Sequence, residues 1–201
     1  MLKQYWQRIG FFLVLMLCGT AWAFSPAELT AQLQQPDTVQ GGFVQQRYLR
    51  SLQQPMQTEG RFALKNRQGL YWQIDKPFDL RLRVRGDGVA QWDGSRWRPA
   101  RQSAQGAQVK LFMAVLGGDT RELERQFQLR LSGNAQQWRL QLTPKTAVMQ
   151  QIFRDIVVEG GRMVQRIELN EKQGDRTVMQ FRQLQAGQAL STQAAQALAT
   201  P

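Results

Sequence analysis

The side chains available for chemistry in this chain are carboxylates, lysines and tyrosines, because it has no histidine and a single cysteine, Cys18. That composition excludes a Ser-His-Asp relay, a histidine general base and a metal site built on histidine or cysteine. A hydrolase using two carboxylates would need them facing each other in a polar cleft. The regularly spaced positions here are apolar instead: Phe62 and Leu64, then Leu70, Trp72 and Ile74, then Leu80, Leu82 and Val84. Such rows pack against one another or hold an apolar ligand, and neither task needs a catalytic group or a cofactor. The expectation is a binding protein, not an enzyme.

Residues 1–23 read as an export signal. Lys3 and Arg8 precede the apolar run Ile9 to Leu17, and Ala21-Trp22-Ala23 supplies the small-x-small cleavage pattern. The run is shorter than the roughly 20 residues a spanning helix needs. Leu17 is not the small residue that lipid attachment to Cys18 would favour. The expected mature chain starts near Phe24 and has 178 residues, enough for one domain. It would be periplasmic, an oxidising compartment where it could form no disulfide. The formal net charge of +11 falls to +9 once Lys3 and Arg8 leave. A basic cytoplasmic protein would suggest nucleic acid, but export removes that partner and leaves lipid head groups and acidic proteins. Arg81, Arg83 and Arg85 alternate with Leu80, Leu82 and Val84, as on the solvated face of a half-buried strand.

Ser25, Pro26 and Glu28 mark the start of a short helix carrying Leu29 and Leu33, which ends at Pro36. From there to about residue 98 alternating segments are punctuated by Gly60, Asn66–Gly69, Lys76-Pro77, Gly86-Asp87-Gly88 and Asp93-Gly94, the pattern of an antiparallel meander. Ala90 and Trp92 extend the apolar row. Residues 99–106 read as a polar loop. The run Val109 to Leu116 is apolar nearly all round, so it must be buried as a short helix or cover something apolar. Alternation returns at Phe127, Leu129 and Leu131, again at Trp138, Leu140 and Leu142, and in three further strands near 151–158, 162–169 and 176–183. Residues 186–201 are Ala, Gln and Ser with few anchors and read as a flexible tail. The total is about eleven strands in one domain, residues 24–185, with short helices able to cover one face of a strongly curved sheet.

Three stretches, in order, resemble the LolA-like family of periplasmic outer-membrane lipoprotein carriers. They are Gly42-Phe43-Val44-Gln45-Gln46; Gly60 to Arg67 leading to Tyr71-Trp72 and Lys76-Pro77; and Leu142-Thr143-Pro144-Lys145 followed by Gly174-Asp175-Arg176-Thr177. The apolar helix Leu111 to Leu116 is similar as well. The resemblance implies a half-open antiparallel β-barrel lidded by short helices, enclosing an apolar cavity for the acyl chains of a lipoprotein or other lipid. The residues expected to line it are Phe62, Leu64, Trp72, Leu82, Trp92, Phe112, Met113, Leu116, Met179 and Phe181. Methionine suits a cavity that must repack around its ligand. Arg67 matches the arginine with which the family latches its lid, although no proline follows it here. By the same resemblance the partners are an inner-membrane export complex and an outer-membrane acceptor; the protein itself is expected to be a monomer. A lipid- or protein-sensing regulatory domain of the same fold is the alternative.

Overall fold

The computed structural model describes residues 24–100 and 104–199; the expected signal peptide, residues 1–23, lies outside them. Helix α1 (Pro26–Gln34) opens with a reciprocal cap. The Ser25 hydroxyl accepts from the Glu28 amide at 3.2 Å, and the Glu28 carboxylate accepts from the Ser25 amide at 2.8 Å. Six strands follow: β1 (Thr38–Tyr48), β2 (Met56–Lys65), β3 (Gly69–Lys76), β4 (Leu80–Arg85), β5 (Gly88–Trp92) and β6 (Trp97–Pro99). Helices α2 (Ala104–Leu116) and α3 (Thr120–Gln126) precede β7 (Phe127–Asn134) and β8 (Gln137–Pro144). Helix α4 (Ala147–Ile152), β9 (Phe153–Gly160), β10 (Val164–Glu171), β11 (Arg176–Ala186) and α5 (Thr192–Leu198) complete the order.

The strands form one antiparallel sheet in the order β6-β5-β4-β3-β2-β1-β11-β10-β9-β8-β7. The outermost strands, β6 and β7, do not pair, so the barrel stays half-open, as the family resemblance implies. Its inner face carries Phe62 and Leu64, Leu70, Trp72 and Ile74, Leu82 and Val84, Leu140 and Leu142, Ile156 and Val158, Ile167 and Leu169, and Met179 and Phe181. Helices α1 and α2 pack against this surface through Leu29, Leu33, Phe112, Val115 and Leu116.

The centre of that face is aromatic and filled. Phe43 stacks on Trp72 with ring centroids 4.0 Å apart, Phe112 of α2 meets Trp72 at 5.3 Å, and Phe62 meets Phe181 edge-on at 5.2 Å. Phe43 reaches Trp72 because Gly60 stands opposite it in β2. A Cβ at Gly60 would lie 2.6 Å from the Phe43 ring.

Three sequence expectations are corrected. Trp92 is on the outer face: the tight β4–β5 turn pairs Leu82 with Gln91 and Val84 with Val89, so Val89 and Gln91 face inward while Trp92 meets Trp97 outside at 5.4 Å. The parity of the turn, not the hydrophobicity of the strand, decided its face. Helix α2 begins at Ala104, inside the stretch read as loop, because Ala and Gln are good helix formers. Residues 186–201 were expected to be flexible, but Thr192–Leu198 forms α5, capped by Ser191 and docked on the outer face. Ala194, Ala197 and Leu198 bury against Ala63 and Tyr71. Arg83 and Arg85 donate to the carbonyls of Ala197 and Ala199 at the α5 C-terminus, where cations are favoured. These arginines therefore clamp a helix instead of forming a purely solvated face, and Arg83 also lies over the Trp97 ring at 5.0 Å.

Because the aromatic centre is packed, Trp72→Ala is expected to lower stability by about 3–5 kcal/mol. Gly60→Ala costs at least about 1–3 kcal/mol, because its Cβ would lie 2.0 Å from the Gln73 carbonyl of β3 as well as 2.6 Å from the Phe43 ring. Urea denaturation of the two variants against the native chain measures both.

Candidate functional site

The inner face is not covered evenly. Where α2 and α3 end and α4 begins, they leave a groove of about 360 Å³, towards the small end of ligand clefts, which span about 300–1,000 Å³. One wall is Leu111 and Ala114 of α2 with Leu123 of α3 and Phe127 at the head of β7; the other is Met149, Ile152 and Phe153. Gln45 and Arg47 of β1 and Thr177 of β11 form the floor.

Local sequence explains the opening. Gly118, at φ 62°, terminates α2: the Asp119 amide donates to the Ala114 carbonyl and the Gly118 amide to the Val115 carbonyl. This turn swings α3 away at once, with Asp119 capping it. Thr146 caps α4, a single short helix with no buried residue. Val148 is 61 % exposed and Ile152 43 % exposed, so an apolar rim stands beside an apolar groove. Charges at the groove are balanced. Arg47 donates to Glu171 at 3.3 Å and lies 3.9 Å from Asp175, while Lys110 and Glu122 occupy the mouth. Such a site suits an aliphatic chain with little charge along its length.

None of the ten residues expected to line a cavity touches this groove. Phe62, Leu64, Trp72, Leu82, Phe112, Leu116, Met179 and Phe181 are buried in the core, each at most 7 % exposed. Their size closes the space that the alternation pattern left open for a ligand. Trp92 is outside, and Met113 faces a second cleft on the other side of α2. The groove residues that sequence reasoning missed, Met149, Ile152 and Phe153, lie in a segment read as loop and strand start. The available signal was Val148, Met149 and Ile152 at helical spacing just after a threonine cap.

Arg67 does not latch the lid in this structure. It sits in the β2–β3 turn at φ 63°, exposed, with no hydrogen bond among the described residues. The holding role falls to its neighbour. The Asn66 side chain is buried and donates to the carbonyls of Leu33, Gln34 and Pro36 at 3.3, 3.4 and 2.6 Å, fastening the end of α1, while its amide donates to Asp37 at 2.8 Å. A side-chain amide at the start of the β2–β3 turn thus satisfies the orphan carbonyls of a helix end.

Fold and site together define a half-open, helix-lidded antiparallel barrel with an apolar groove at the lid margin. The family model described as "Outer membrane lipoprotein carrier protein LolA-like" matches residues 19–200, and the chain belongs to that family. No curated protein matches it in sequence. Among solved structures, MucB is similar with a TM-score of 0.53 and 14 % identity, over 91 % of this chain and 64 % of that one. The MucA/MucB complex of Pseudomonas aeruginosa matches at 0.49 and 19 % identity, over 86 % of this chain and 58 % of that one. A LolA superfamily protein from Nitrosomonas europaea matches at 0.48 and 11 % identity, over 84 % and 96 %. The chain thus spans under two thirds of the MucB chains.

Asn66→Ala, which leaves three carbonyls without their donor, is expected to cost about 1–3 kcal/mol. Arg67→Ala stays within about 0.5 kcal/mol of the native chain, as for other free surface side chains. Thermal or urea unfolding of the pair distinguishes the two roles.

Proposed function

We propose that this protein is a periplasmic carrier that shelters the acyl chain of a lipoprotein or other lipid while it passes between the inner and outer membranes. The carrying observation is the apolar groove beside α2, with its exposed rim, in a chain of the LolA-like family. Each methylene removed from water contributes about 0.8 kcal/mol, so even part of a chain lodged against Leu111, Leu123, Phe127 and Phe153 is held without any polar anchor. The rim residues Val148 and Ile152 give an incoming chain an apolar approach. The protein works by binding alone, as a monomer, without cofactor or catalytic group, and not on nucleic acid. Its cargo is loaded by an inner-membrane export complex and passed to an outer-membrane acceptor.

Lipid mass spectrometry of protein purified from the periplasm without detergent tests the reading, with an acyl lipid or acylated protein expected near one per chain. Titration with a fluorescent acyl probe tests the site: Leu111→Asp, which puts a charge into the groove wall, weakens binding at least about tenfold. Unaltered probe binding in that variant removes the groove from the account. Bound lipid that no acceptor membrane takes up would make the protein a lipid sensor instead.

A further inference from the structure

The second cleft, of about 380 Å³, lies between the β2–β3 turn, the β4–β5 turn and the α2–α3 corner. Its apolar base is Leu64, Met113 and Ala114, and four cations surround it: Lys65, Arg67, Arg85 and Lys110. Its carboxylates, Asp119 and Glu122, are both engaged. Asp119 accepts from the Glu122 amide at 3.1 Å as the α3 cap, and Glu122 accepts from Arg125 at 3.0 Å. Arg85 is paired with Asp87 at 2.8 Å. Lys65, Arg67 and Lys110 have no carboxylate partner among the described residues, which leaves the cleft with a local excess of positive charge. Cations held around one concavity focus the field on it and favour an anion there.

This cleft adjoins the acyl groove across the α2–α3 corner. Lys110, Ala114 and Glu122 line both, so the two hollows share the α2–α3 corner as a common wall. The groove is charge-balanced and apolar; the cleft is cationic. The pair has the polarity of an amphiphile.

We propose that the cleft is the site for an anionic group, a phosphate or carboxylate, of the cargo whose acyl chain occupies the groove. This rests on the carrier reading and deepens it: the cargo class becomes an anionic amphiphile. Arg67 supplies a planar fork for the oxyanion, Lys65 and Lys110 supply point charges, and Arg67, in the left-handed turn between β2 and β3, lines the cleft opposite α2.

The test is displacement of a fluorescent acyl probe by three ligands of equal chain length: palmitate, palmitoyl lysophosphatidate and neutral monopalmitoylglycerol. The native protein is expected to prefer both anionic ligands over the neutral one by about tenfold or more, the strength of a charge-assisted contact. In the double variant Lys65→Gln/Arg67→Gln, neither position of which lines the groove, that preference collapses towards the neutral ligand's affinity. Equal displacement by all three ligands in the native protein overturns the anion site while leaving the acyl groove standing. Displacement by none of them overturns the carrier reading and the anion site with it. Inorganic phosphate that binds the native protein, but not the double variant, as tightly as the lysophosphatidate does would assign the cleft to a free anion and overturn the head-group assignment.

Discussion

Contact between Phe43 and Trp72 across Gly60 is the constraint on which the rest of this structure depends. A half-open barrel has an interior that must either be filled or left for a ligand. Here β1 brings an aromatic ring over a glycine gap in β2 onto the indole of β3, and α2 adds Phe112 from above. Aromatic contacts of this kind contribute about 0.5–1.5 kcal/mol beyond the area they bury. With the centre occupied, helices α1 and α2 are tied to the sheet by burial, and any ligand space must lie at their margins.

The margins are set by small features. Gly118 stops α2 and turns α3 outward, and a Cβ there would lie 2.8 Å from Leu33 of α1, so the corner is also a packing point between helices. Thr30 and Thr120 join α1 to α3 through hydroxyls 2.9 Å apart, and Asn66 secures the end of α1. This frame holds the lid from one side only. On the other side α4 stands without a buried residue, and the groove opens between a fixed wall and a lightly held one. A binding site with one rigid and one loosely packed wall admits a flexible chain without disturbing the core, since local opening is easiest where few apolar contacts are made.

Much of this fold is legible in the sequence because strand period and turn chemistry are local. The alternation at Phe62–Leu64, Leu70–Ile74 and Leu80–Val84, with an Asn-Arg-Gln-Gly turn and a Lys-Pro turn between, suffices to read an antiparallel sheet, and Ser25-Pro26-Glu28 suffices to read α1. What escapes is whatever depends on parity or on partners. Trp92 continues an apolar row on paper, but the two-residue turn before it reverses its face. The tail looks featureless because alanines carry no signal until Tyr71 and two arginines receive them. Whether Phe62, Trp72 and Phe181 line a cavity or fill one depends on how far their rings reach across the sheet, which the order of residues does not encode. The role of Asn66 likewise depends on partners distant in sequence, the carbonyls at the end of α1 that its amide reaches.

The most direct test of the account is methionine methyl NMR during titration with a saturated fatty acid. Met149 lines the groove, Met113 faces the cationic cleft, and Met179 is fully buried in the filled core. The account predicts that the Met149 resonance moves in step with ligand while that of Met179 stays in place. A shift concentrated at Met179, with Met149 unmoved, would mean that the aromatic centre opens to receive the chain, and would contradict the assignment of the ligand to the groove.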